Sequence, residues 1–151
     1  MTRVVTVALL LSVVLGLLPG AGAQAPSPVA PLRVQLRTAV FHAGELAQRA
    51  GNPQVALLHT QHVMNCLEGP KGPNFNPASG YPCQGQGAGI LEDLRAAQAA
   101  GAPGTDAAAK SIAIAYELAK QSLRHRDLYD IQAWTKKGGE LLSEALRAIG
   151  G

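Results

Sequence analysis

The chain has 151 residues, with 13 lysines and arginines against 10 aspartates and glutamates, a formal charge of +3. A surplus this small and this scattered argues against nucleic acid as a partner. Beyond the N-terminus no stretch reaches 18 uninterrupted apolar residues, so no later membrane span is expected, and the remaining length suits one domain with a real core.

Met1-Thr2-Arg3 is a short positive start, and Val4 to Leu18 is an almost unbroken apolar run. Pro19-Gly20 breaks it, and Ala21-Gly22-Ala23 places small residues where a signal peptidase cuts. Residues 1–23 therefore read as a secretory signal peptide, too short and wrongly flanked for a span; an uncleaved N-terminal anchor is the alternative. No cysteine follows the cleavage site, which argues against a lipid anchor. Cleavage leaves 128 residues with 12 basic against 10 acidic groups, a charge of +2. Their expected place is the periplasm or the extracellular cell envelope. Residues 24–31 (Q-A-P-S-P-V-A-P) form a proline-rich, extended leader, and 32–151 form the domain.

From residue 32 the patterns are helical, and no convincing alternating strand is present. A first helix is expected over 32–50, with Leu36, Val40, Ala43 and Ala47 as its apolar stripe and Gly51 at its end. Asn52-Pro53 restarts the chain, with Asn as N-cap and Pro at the first helical position. The second helix then covers 53–68, until Gly69-Pro70 stops it. Residues 69–89 are a long loop rich in Gly, Pro and Asn; loops of this length are usually functional or stapled. A short helix follows over 90–100. Thr105 is positioned to cap a third long helix with the stripe Ala108, Ile112, Tyr116, Ala119 and Leu123. The chain turns near 124–127. A last helix carries Ile131, Trp134, Gly138, Leu142, Ala145 and Ile149 on one face. Gly138-Gly139 would cost about 1 kcal/mol each inside it, yet the stripe keeps its phase, which predicts one helix with a close backbone approach at Gly138. A break there is the alternative. The expected fold is all-α: an antiparallel four-helix-bundle-like domain with one short extra helix and a long stapled loop.

The staple is Cys66–Cys83. An even cysteine count in an exported chain points to a disulfide. It would close a loop of about 18 residues and stabilise the fold by roughly 3 kcal/mol.

On the second helix Val55, His59, His62 and Cys66 fall at i, i+4, i+7 and i+11, an inward pattern, with Met64 on the opposite side. Two imidazoles on one core face need partners, either hydrogen bonds within the core or a metal. The tight link at Asn52-Pro53 brings His42 level with them. His42 lies roughly 110° from the centre of its own helix's stripe, at an interface edge. His125, in R-H-R at the last turn, is a further candidate ligand; a solvated histidine is its alternative. Glu45, one turn from His42, is placed to accept a hydrogen bond from a ligating imidazole. Arg49, Arg124 or Arg126 would attract an anion.

Absence of C-x-x-C-H excludes covalent haem, and the paired Glu-x-x-His of di-iron bundles is missing. With the cysteines bridged, the donors are imidazoles, and copper tops the affinity order for such sets, with zinc the alternative. A free Cys66 would instead give a His₂Cys electron-transfer copper site. Copper with an open position points to superoxide as a small substrate. The alternatives are a non-enzymatic metal or haem b binding module, or a metal-free structural protein that meets other envelope proteins.

The element His59-x-x-His62-Val63-x-Asn65-x-x-Glu68-Gly69, then a Gly/Asn/Pro-rich loop and Gly87-x-Gly89-x-Leu91, resembles a recurrent element of small secreted bacterial helical-bundle domains over about residues 57–94. The whole also resembles, loosely, envelope-associated helical copper proteins with a suggested copper-only superoxide dismutase role. That resemblance implies metal ligation by His59 and His62; His42 and His125 rest on geometry alone.

Overall fold

The computed structural model describes residues 27–151, and the expected signal segment lies outside them, with 24–26 of the leader. The described residues form five α-helices and no strand: α1 (Ala30–Phe41), α2 (Pro53–Glu68), α3 (Ile90–Ala99), α4 (Thr105–Ser122) and α5 (Leu128–Ala148). A π-helical turn, His42–Leu46, continues α1, and a 3₁₀ turn, Pro77–Ser79, sits inside the long loop. None of these helices is long and apolar enough to cross a membrane.

The four longer helices make the bundle. α4 and α5 form the most extensive pair, antiparallel across the 123–127 turn, with Ser122 against Ile131 at one end and Gly104 against Ala148 at the other. α1 lies antiparallel to α5: Arg33 reaches the Ile149 carbonyl, Ala43 meets Gly139, and Gln48 meets Gln132. α2 packs against α1, α4 and α5, and α3 closes one end against α1, α2 and α4. Leu32, Leu36, Met64, Leu67, Ile112 and Leu142 are fully buried at the centre.

The first helix begins at Ala30, two residues inside the expected leader, because Pro31 suits a first turn whose N–H groups have no helical acceptor. Gly51 is not in the left-handed conformation expected of a helix-ending glycine; the π turn and the turn after it end the segment instead. The N-cap of α4 is Gly104, with φ 80°, and the Thr105 hydroxyl points back to donate to the Ala102 carbonyl at 2.8 Å. α5 does run unbroken through both glycines, but the close approach is at Gly139. A Cβ there would lie 2.9 Å from the Ala43 Cβ, whereas at Gly138 the nearest atom is 3.6 Å away. Gly139→Val is therefore expected to push α5 off the π turn and cost about 1–3 kcal/mol, read by chemical denaturation; Gly138→Val is expected to cost less.

The α2 stripe is rotated from the expected phase, and the α5 stripe is buried as expected except at Trp134. α2 buries Ala56, Thr60, Val63, Met64 and Leu67, leaving Val55 38% exposed, so Met64 is inward and His59 and His62 lie on the flank. α5 buries Thr135 where Trp134 was expected; Trp134 is 37% exposed. Thr60 and Thr135 are turned inward into one hydroxyl cluster. The Thr60 hydroxyl meets Thr135 at 2.8 Å, Thr135 meets Ser122 at 2.8 Å, and Ser122 donates to the Ile131 carbonyl. These three buried hydroxyls satisfy one another at the junction of α2, α4 and α5.

The long loop is held to α2 by covalent and polar ties. Cys66 and Cys83 form a disulfide with Cα atoms 5.4 Å apart, both fully buried. The Glu68 carboxylate accepts from the Asn74 backbone and side chain and from the Tyr116 hydroxyl, all at 2.6 Å. Burial and the Glu68 partner push the Tyr116 phenol up to about 12. Gly69 and Gly89 pass so closely that a Cβ on Gly89 would lie 2.7 Å from the Glu68 carbonyl oxygen.

Candidate metal centre

The site starts with a helix cap. The Asn52 side chain accepts from the Val55 N–H at 3.0 Å, and Pro53 follows at the first helical position, which sets where α2 begins. With that start, His59 and His62 lie one turn apart on the flank facing α1. The π turn starts at His42: its carbonyl accepts from the Ala47 N–H, five residues on, at 2.9 Å. Such single π turns inside helices cluster at functional sites. The short link then folds α2 back, and the three imidazoles meet.

They meet through their ring nitrogens. His42 Nδ1 is 3.3 Å from His59 Nδ1 and 3.2 Å from His62 Nδ1. One nitrogen from each of the three lies within 4.8 Å of the other two. Ring centroids are 4.7–5.5 Å apart with interplanar angles of 44°, 64° and 85°, so the rings splay around a point and do not stack. Two imidazole nitrogens bound to one ion at about 2.0–2.1 Å with a tetrahedral angle lie about 3.3–3.4 Å apart. The two measured spacings match that edge.

Protons alone do not satisfy this arrangement. His62 Nε2 donates to the Ser79 carbonyl at 2.5 Å. A carbonyl only accepts, so neutral His62 carries its proton on Nε2 and turns the Nδ1 lone pair inward. One proton on His42 Nδ1 then serves one of the two nitrogens facing it and leaves the other without a donor. Extra protons bring like charges together. Burial, then His62, then His59, lower His42 from the ordinary 6.5 to about 4. Burial, then His62, lowers His59 as well. Neutral, converging imidazoles are the form that ligates a transition metal.

A pH dependence follows for the ion-free chain. The unfolded His42 takes up a proton near 6.5 and the folded one near 4. Between those values the unfolded state binds more protons, so stability is full above about pH 6.5 and falls as pH drops toward 4. Thermal melts of chelator-treated protein across that window are expected to fall with pH, and His42→Gln is expected to flatten the trend.

His125 lies elsewhere. Its Nδ1 is 3.4 Å from the Asp130 carboxylate, and its ring stacks on Trp134 at 5.9 Å. The 123–127 turn does come level with this part of α2, but on the side of Thr60, where Ser122 and Thr135 sit; the histidines occupy the flank toward α1. Glu45 pairs with Arg49 at 2.6 Å, so neither an imidazole partner nor an uncompensated arginine stands at the π turn. Arg126 donates to the Leu123 and His125 carbonyls. The Ser79 carbonyl was missing from the expected site; a backbone acceptor leaves no mark in residue type, although the long loop pointed to its segment.

No protein-family model, curated protein or solved structure matches the chain.

Proposed function

We propose that this chain binds one copper ion through His42, His59 and His62 in the periplasm or the extracellular envelope. The observation that carries the reading is the 3.2–3.3 Å convergence of the ring nitrogens on His42 Nδ1. An all-imidazole set favours copper, then zinc, over oxygen-seeking magnesium or calcium. Both cysteines are in the disulfide, so no thiolate joins the donors and the blue-copper ligand set is not available. Haem b fits poorly, since rings with centroids 4.7–5.5 Å apart leave space for an ion and none for a macrocycle between them. The disulfide supports an oxidising compartment.

Superoxide dismutation is the second reading, favoured by three donors that leave a coordination position open at a partly exposed cluster. Bound copper would supply one-electron exchange, turning two superoxide ions and two protons into dioxygen and hydrogen peroxide. The chain's own part is to present neutral donors, with His62 Nε2–H kept on Ser79 and away from the reaction. Arg49, at the π turn, is already paired with Glu45, so carriage without turnover requires less of these residues.

The test is metal analysis of untagged protein after copper loading and chelator challenge. One retained copper per chain supports the reading; none retained, with the helices intact, leaves the metal-free envelope role. Dismutase assay of the loaded protein then separates catalysis from carriage.

A further inference from the structure

The His62 contact with Ser79 is held in place by more than the two residues that make it. Ser79 ends the 3₁₀ turn, with its N–H on the Asn76 carbonyl at 3.2 Å and the next N–H, of Gly80, on the Pro77 carbonyl at 3.1 Å. Asn65, fully buried one turn beyond His62 on α2, grips both shoulders of that turn. Its Nδ2 donates to the carbonyls of Asn76 at 2.8 Å and Gly80 at 2.6 Å, and its Oδ1 accepts from the Asn76 N–H at 2.9 Å. Gly80 has φ 88° and ψ 165°. That region is open essentially to glycine alone, and a Cβ there would lie 3.6 Å from His62 Nε2. Any other residue at 80 must turn the Ser79–Gly80 peptide.

We propose that Asn65 and Gly80 are positioning residues: they aim the Ser79 carbonyl at His62 Nε2, which fixes the tautomer that turns Nδ1 toward the ion. The role in metal affinity rests on the copper reading; the tautomer itself does not. The disulfide-stapled loop thereby becomes part of the site. It supplies the backbone acceptor that orients a ligating imidazole, an arrangement whose loss typically weakens metal binding about 10–100-fold.

The experiment has two readouts on untagged protein. Nitrogen-15 NMR of the ion-free chain reports which ring nitrogen of His62 carries the proton. Competition with a chelator reports the copper(II) affinity. Wild type is expected to show His62 protonated at Nε2. Gly80→Ala, in an exposed turn that leaves the core untouched, is expected to give a tautomer mixture, unchanged helical content and affinity lower by about 10–100-fold. Asn65→Ala is expected to do the same more strongly. If it unfolds, Gly80→Ala still decides. Wild-type His62 protonated at Nδ1 overturns the proposal, as does Gly80→Ala with wild-type tautomer and affinity. A wild type that takes up no copper, while its His62 tautomer is locked and released by Gly80→Ala, refutes the copper reading and upholds the positioning.

Discussion

Replacing His59 and His62 together with glutamine is expected to take copper from one ion per chain to none while leaving the helical signal intact. Glutamine is among the better helix formers, so α2 loses no propensity, and the stripe that holds it in the bundle, Ala56, Thr60, Val63, Met64 and Leu67, is untouched. Only His42 remains of the three, and one imidazole has no second donor on the protein. The same variant has a signature in stability. A ligand at a thousand times its Kd stabilises the folded state by about 4 kcal/mol, so copper should raise the melting temperature of wild type and leave the double variant unmoved. In the ion-free state the variant should keep part of the acid sensitivity, because burial, the leading cause that lowers His42, stays while the His62 and His59 contributions go. Undiminished loading by the double variant would place the copper elsewhere on the chain.

Removing the disulfide is the second large effect. Cys66→Ala with Cys83→Ala frees a loop with 17 residues of sequence separation between its anchors and is expected to cost about 3 kcal/mol, read as a lower denaturation midpoint. Alanine avoids placing a hydroxyl where both sulfurs are fully buried. The loop then hangs on polar ties, chiefly those of Asn65, Glu68 and His62, so copper affinity should fall with stability. A midpoint unchanged under oxidising conditions would mean that these polar ties hold the loop unaided.

Much of this architecture is legible in the chain. Asn52-Pro53 and Gly69-Pro70 bracket α2 at the residues found, since cap chemistry is local. Cysteine parity gives the bridge, and the tight link puts His42 level with His59 and His62. The phase of α2 and one position of α5 are less legible. The inward positions missed there are Ala56, Thr60 and Thr135, small or hydroxylated residues with little hydrophobic weight, so the bulk of Val55 and Trp134 stood in for them. The partners that bury Thr60 and Thr135 are each other and Ser122, contacts visible only once three helices are assembled. His125 is a candidate by residue type and its place at the last turn, and its partners, Asp130 and Trp134, lie on its own side of the bundle. The π turn at His42 and the Ser79 carbonyl are backbone features that no side chain announces.

X-ray absorption of the protein loaded with one equivalent of copper tests the central claim most directly. Three imidazole nitrogens at about 2.0–2.1 Å, falling to at most one in the His59→Gln/His62→Gln variant, are the expected result. A copper shell with one imidazole or none in the wild type would contradict it.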